Sequence, residues 1–250
     1  PVMRKELFLF SLPLLGLAVL GTVITWTDTL MLGYFKTPEA VGLYNGALPL
    51  AQIIPLPLSA MGFLFLPVIS WLYSRNLMEE VRRSYKVVTK WVFSASLPIF
   101  LVPCLFPDVT LSFLFGPQYV EAASALRFLS LGFFFPALVG YNVLILVAAG
   151  KTGLSMWIAL FGAVLNVVLN AVLIPPRGIE GAAIASMISY FGVYILGATK
   201  LYQLYRIHPF TKNYLKPMVV SAIIILCLYA LAKNLLLVTY WMLPLFFILF

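Results

Sequence analysis

Charge is scarce in this chain: 10% of its 250 residues are Asp, Glu, Lys or Arg, and only eight are acidic. A soluble domain carries about 25% charged residues, so a water-solvated surface is excluded. Histidine occurs once, and the two cysteines, Cys104 and Cys227, fall inside apolar runs without metal-ligand spacing. That leaves no zinc site and no disulfide framework, and the thiols read as packing groups. His208 sits beside Pro209 with no nucleophile or carboxylate at motif spacing, and reads as a solvated loop residue. No glycine-rich nucleotide loop occurs; Gly150-Lys151-Thr152-Gly153 is too short and reads as a turn. The expected protein is not an enzyme and has no catalytic residue, no metal and no cofactor.

What fills the chain instead is apolar side chain: 63% of residues are hydrophobic and the mean hydropathy is +1.04. Crossing a hydrocarbon core takes about 20 mostly apolar residues as helix. Lipid cannot satisfy free backbone groups, so only helices and closed barrels span it. Barrel strands alternate in polarity over about 10 residues, whereas stretches such as 7–32 and 154–174 are apolar on consecutive positions. The expected fold is an all-α, polytopic transmembrane bundle of about eight spans. These fall near 7–32, 41–71, 87–106, 122–147, 154–174, 181–205, 215–233 and 239–250, the last incomplete. Breaks such as Phe106-Pro107-Asp108 and Pro175-Pro176-Arg177-Gly178 carry the glycine and proline chemistry that ends helices. The second span holds Pro49, Pro55, Pro57 and Pro67 and is expected to bend. The chain begins at Pro1 without an initiator Met and stops at Phe250 inside an apolar run, as expected of trimmed ends or of one portion of a longer polypeptide, and no cleavable signal pattern is apparent.

The formal net charge is +8, but the basic residues are confined to particular breaks, which points to topology rather than to a nucleic-acid partner. With a cytoplasmic N-terminus, twelve Lys and Arg fall on inner segments and three, Lys36, Arg177 and Lys233, on outer ones. That asymmetry places the protein in the cell membrane, multi-pass, with the N-terminus of this chain inside. The inner stretch 73–90 repeats Leu77, Val81, Tyr85 and Val88 at helical spacing between charged residues. It reads as an amphipathic helix at the inner headgroups, either an anchor to membrane lipids or a gating element.

Polar groups within the spans carry the functional signal, because they are costly there and rarely idle. Asp28, late in the first span, is the one carboxylate clearly inside a span. Arg127 lies one to two turns into the fourth and either snorkels to headgroups or faces a wet cavity. Asn166 and Asn170 are four apart on one helix face, as packing glue or as cavity lining. Gln52, Asn142, Ser186 and Ser189 add polar points on other helices, and Gly181, Ala185 and Ser189 make a small-residue stripe. The cavity candidates are thus Asp28, Gln52, Arg127, Asn142, Asn166 and Asn170.

Ordered segments give these features a context. Ser11-Leu12-Pro13-Leu14-Leu15, then Trp26-Thr27-Asp28-Thr29-Leu30-Met31-Leu32-Gly33-Tyr34-Phe35, resemble the opening helix of the C-terminal lobe of polysaccharide flippases. Val41-Gly42-Leu43-Tyr44-Asn45-Gly46-Ala47 and Leu114-Phe115-Gly116-Pro117-Gln118-Tyr119 fit in order. So do Leu165-Asn166-Val167-Val168-Leu169-Asn170 and Gly178-Ile179-Glu180-Gly181-Ala182-Ala183. That family belongs to the multidrug/oligosaccharidyl-lipid/polysaccharide exporter superfamily. The resemblance implies flipping of a lipid-linked oligosaccharide or polysaccharide precursor by alternating access between two six-helix lobes. Residues 1–205 would form one lobe and 206–250 two additional C-terminal helices. The partners would be the lipid-linked oligosaccharide, membrane lipids and the missing N-terminal lobe. The alternatives are a multidrug/cation antiporter of the same superfamily and a non-transporting, truncated membrane subunit.

Overall fold

The computed structural model describes residues 2–210 and Val219. The expected spans at 215–233 and 239–250 lie outside the described residues. Among the described residues the chain is an all-α bundle with no strand, and five of its helices are long and apolar enough to cross a membrane. It is a polytopic membrane fold.

Helix α1 (Val2–Phe35) is the first span. The chain turns at Lys36 and Thr37, and Thr37 caps α2 (Pro38–Gln52), its Oγ accepting from the Ala40 amide at 3.4 Å. Pro38 suits the first turn of α2, where its missing N–H would have had no partner. The expected second span is divided at Ile53–Pro55, with α3 (Leu56–Ser74) following. Pro49 and Pro67 sit inside α2 and α3 without ending either helix, so the break falls where Pro55 and Pro57 are closely spaced.

Helix α4 (Met78–Leu105) corrects the reading of 73–90 as a separate helix in the headgroups. No proline or glycine interrupts residues 78–97, so the amphipathic stretch runs straight into the third span. Its apolar face, Val81 and Tyr85, is buried against the bundle. After α5 (Pro107–Phe115) and a 3-10 turn at Pro117–Ala122 comes α6 (Ala123–Val139). The expected span 122–147 is also broken: Gly140 takes φ 72°, which a residue with a Cβ adopts at a cost, and the short α7 (Asn142–Ala148) follows.

Helix α8 (Thr152–Tyr205) is 54 residues long, which as a straight rod would reach about 80 Å. It is instead folded at Gly178 (φ 56°, ψ −129°), just after Pro175 and Pro176. The side chains of Asn166 and Ser186, 20 residues apart, meet at 3.2 Å, so two limbs lie side by side. The fifth and sixth expected spans are these limbs. Both α1 and α6 pack on α8, α4 packs on α6, and α3 on α4. Small residues set the close crossings: a Cβ at Gly132 of α6 would lie 2.9 Å from the Met187 Cα. One apolar cluster (Leu32, Tyr44, Leu126, Ile174) joins α1, α2, α6 and the bend of α8. A second (Phe65, Tyr85, Tyr141, Leu201) joins α3, α4, the α6–α7 break and the end of α8. The outward face of α1 shows Phe8, Leu12, Leu15, Val19, Trp26 and Leu30, a stripe suited to acyl chains.

Candidate functional site

Asp28 is 3% exposed and lies where α1, α2 and both limbs of α8 converge. Four neutral groups donate to it. The Tyr44 hydroxyl reaches Oδ2 at 2.6 Å, and Asn170 Nδ2 reaches Oδ1 at 2.6 Å. Asn166 Nδ2 reaches Oδ1 at 3.2 Å, and the Ser186 hydroxyl also donates to Oδ2. Local sequence explains each placement. Asn166 and Asn170, one turn apart, present both amides from the first limb, and the bend at Gly178 returns Ser186 to the same level. The turn at 36–37 sets Tyr44 of α2 beside Asp28 of α1. Lys36 ties this turn to the α8 bend by donating to the Pro175 carbonyl at 2.8 Å.

The electrostatics of the cluster are unusual for a membrane interior. Among the described residues the one ion pair is Arg82–Glu79 on α4, so Asp28 has no cationic partner there. Leaving a charge buried without its counter-charge costs several kcal/mol even after relaxation. Hydrogen bonds to a charged group return about 1.5–3 kcal/mol each, so the four donors together offset a cost of that order. Asn170 Oδ1 is itself buried without a hydrogen-bond partner among the described residues. A spare acceptor beside a carboxylate suits a site that gains a proton or a small hard cation. With one carboxylate, two amides and two hydroxyls, and no activated nucleophile, the cluster has binding chemistry and not the makings of hydrolysis.

Three of the six sequence candidates, Asp28, Asn166 and Asn170, are therefore brought into contact. The other three lie elsewhere. Asn142 is fully buried at the Gly140 break, where its Nδ2 donates to the Tyr194 carbonyl at 2.9 Å and its Oδ1 accepts from the Val143 amide at 2.6 Å. It repairs backbone freed by the break. Gln52 ends α2, half-buried, and makes no bond to the cluster. Arg127 is exposed and donates from Nε to the Cys104 carbonyl at 3.1 Å, near the C-terminal end of α4. A cation there complements the helix dipole, which is worth about 0.3–1 kcal/mol. Asp28 and Arg127 share no bond.

Sequence reasoning missed Tyr44 and left Ser186 off the candidate list. Tyr44 looks like any core aromatic, and its role depends on the α1–α2 turn bringing positions 16 apart together. Ser186 stood out only as one polar point among several in the spans, with no spacing that ties it to Asp28.

Comparison with known proteins agrees with this architecture. The MatE family profile matches residues 13–172, more than half of the chain. An uncharacterized membrane protein, MJ1068, of Methanocaldococcus jannaschii is 30% identical over 211 residues, covering 78% of this chain and 41% of that protein. The probable low-salt glycan biosynthesis flippase Agl15 of Haloferax volcanii is 27% identical, over 74% of this chain and 39% of its own length. The capsular polysaccharide biosynthesis protein CapF of Staphylococcus aureus is 26% identical, over 75% and 47%. The chain thus spans less than half the length of these relatives. No solved structure matches it. With the profile covering most of a bundle whose helices converge on one buried carboxylate, the chain belongs to the MatE family.

Proposed function

We propose that the chain forms one lobe of a two-lobe flippase that carries a lipid-linked oligosaccharide across the cell membrane by alternating access, with Asp28 as its proton-carrying switch. The observation that carries this reading is the Asp28 cluster, in which one ionisable group holds four helical segments together. Adding a proton changes Asp28 from an acceptor of four bonds into a group that also donates, and Asn170 Oδ1 stands ready to accept. The bonds between α1, α2 and the limbs of α8 are then redistributed, which gives the lobe two packings. Broken helices at membrane depth, here at Ile53–Pro55 and Gly140, are the elements on which such rocking turns. The names of the flippase and polysaccharide-biosynthesis relatives support the substrate class, and the partner lobe would supply the other wall of the cleft.

Arg127 is exposed while its Nε is fixed to α4, so it offers an oriented fork to a diphosphate linker. Flipping of a fluorescent lipid-linked oligosaccharide by the complete gene product in proteoliposomes tests both points. Arg127→Ala is expected to lower the rate, with Arg127→Lys restoring it in part. An unchanged rate in the Ala variant leaves the α4 cap as the role of Arg127, and no flipping by the unaltered protein contradicts the proposal itself.

The charge asymmetry further assigns 75–90 to the cytoplasm and 108–121 to the outside. In cells, a cysteine introduced at Asp108 should react with a membrane-impermeant maleimide, and one at Asn76 only after permeabilisation. The opposite pattern would invert the orientation.

A further inference from the structure

A carboxylate that exchanges protons needs a route to water, and Asp28 is sealed from solvent. Two features of the bundle point to that route. An open-sided cavity of about 910 Å³ lies between α1 and α3, walled by Leu14, Leu17, Gly62, Leu66, Asn142 and Tyr194. Its floor includes Gly140 and Tyr141, the backbone of the α6–α7 break. Non-helical backbone at membrane depth is tolerated where protein buries it or where it lines a water-filled space. Protein groups satisfy part of this break: Tyr85 donates to the Val139 carbonyl, and Asn142 Oδ1 accepts from the Val143 amide. Gly140 and Tyr141 of the break also line the cavity.

The second feature links the cavity to Asp28. Ser186, Tyr190 and Tyr194 follow one another at four-residue intervals on the second limb of α8, so they share one helix face. Ser186 is bonded to Asp28 and Tyr194 lines the cavity, about 12 Å away along the helix. Tyr190, between them, lies within electrostatic reach of both Asp28 and Tyr194. Tyr190 and Tyr194 are half-buried, and phenols packed in a protein usually find a partner. Those of Tyr44, Tyr85 and Tyr141 donate to protein groups, whereas those of Tyr190 and Tyr194 have no protein partner among the described residues. Two unengaged hydroxyls between a cavity and a buried carboxylate mark a path for water.

We infer that the cavity beside the Gly140 break is the aqueous vestibule through which Asp28 exchanges its proton, with Tyr194, Tyr190 and intervening water as the relay. The inference rests on the reading of Asp28 as a proton-carrying switch. In the inward step a cavity water hands a proton to the Tyr194 oxygen as Tyr194 passes its own onward. Tyr190 does the same, and the last proton settles on an Asp28 oxygen. Both phenols end neutral, and the net change is one proton moved from water to the carboxylate. The groups facing Asp28 are Tyr44 from α2, Asn166 and Asn170 from the first limb, and Ser186 and Tyr190 from the second. None carries a positive charge, so the proton itself supplies the neutralisation.

The test is infrared difference spectroscopy of the complete transporter in membranes, following the carboxylic C=O band of Asp28 (identified by its loss in Asp28→Asn) after transfer into D2O. Tyr190→Phe and Tyr194→Phe keep the rings, including the Tyr190 contact with Phe133 at 5.0 Å between centroids. Each is expected to slow deuteration of the Asp28 band by about tenfold or more, as loss of a positioned proton-transfer group does. Tyr73→Phe, off the route, should leave it unchanged. Exchange as fast in both relay variants as in the parent overturns the route while leaving the switch standing. Absence of any Asp28 carboxylic band at every pH removes the switch and the route together.

Discussion

Asp28→Asn in the complete transporter is expected to cut the flipping rate by about two orders of magnitude and to abolish its pH dependence, with membrane insertion and thermal stability nearly unchanged. The stability follows from the cluster's chemistry. Asn is close to isosteric with Asp, and the Tyr44 and Ser186 hydroxyls that donate to Oδ2 turn round to accept from its amide. Asn166 and Asn170 keep Oδ1 as their acceptor. The lost activity follows from population arithmetic. Moving a two-state lobe from 1:99 to 99:1 takes about 5.5 kcal/mol. Charging or neutralising one buried carboxylate is worth several kcal/mol, which is the right scale. A permanently neutral amide at position 28 holds the lobe in one packing. Asp28→Ala differs, because it removes the acceptor of the Tyr44 and Ser186 hydroxyls and leaves each asparagine amide with one acceptor, at about 1–3 kcal/mol for each group left unpaired. Native flipping by Asp28→Asn, at matched protein levels, would reduce the cluster to packing glue.

The second large effect is on the fold. Gly181→Ala is expected to destabilise the protein by about 3 kcal/mol and to lower the yield of monodisperse protein in detergent. A Cβ at Gly181 would lie 2.2 Å from the Leu173 carbonyl oxygen and 2.5 Å from its carbon. Both belong to the backbone of the facing limb, so no rotamer relieves the clash and the limbs must part, the overpacking that costs about 1–3 kcal/mol or more. Parting them also pulls Ser186 from Asn166 and Asp28, so the damage reaches the site. Gly153→Ala is the control: nothing lies within 4 Å of its added methyl, and thermal inactivation should be unaltered. Equal midpoints for the two variants would show that the limbs do not pack as described.

The fold was legible where physics is local. Apolar length gave the helices, and the prolines of the second span marked a bend that became a full break at Ile53–Pro55. The Gly140 break was not legible, because a lone glycine inside an apolar run costs too little to distinguish a kink from a packing contact. The reading of 73–90 as a separate helix failed for a related reason. Amphipathic periodicity shows which face is apolar, and cannot tell a bilayer surface from the neighbouring helices that bury Val81 and Tyr85. At the site, Asn166 and Asn170 were found by their spacing and Asp28 by its isolation. That the three belong together, with Tyr44 and Ser186, depends on two turns whose closing angles no residue pattern prints. Arg127 shows the converse: an intramembrane cation looks functional in sequence, and part of its role is to cap α4.

The central claim is that neutralising Asp28 drives the lobe between two packings during glycan flipping. The most direct measurement is the initial rate at which the complete transporter, in proteoliposomes, flips a fluorescent lipid-linked oligosaccharide with and without an imposed pH difference across the bilayer. The account predicts a rate that changes severalfold with the gradient and a return to the ungradiented rate when an ionophore collapses it. Flipping that proceeds at one rate with the gradient present, absent or reversed would contradict it.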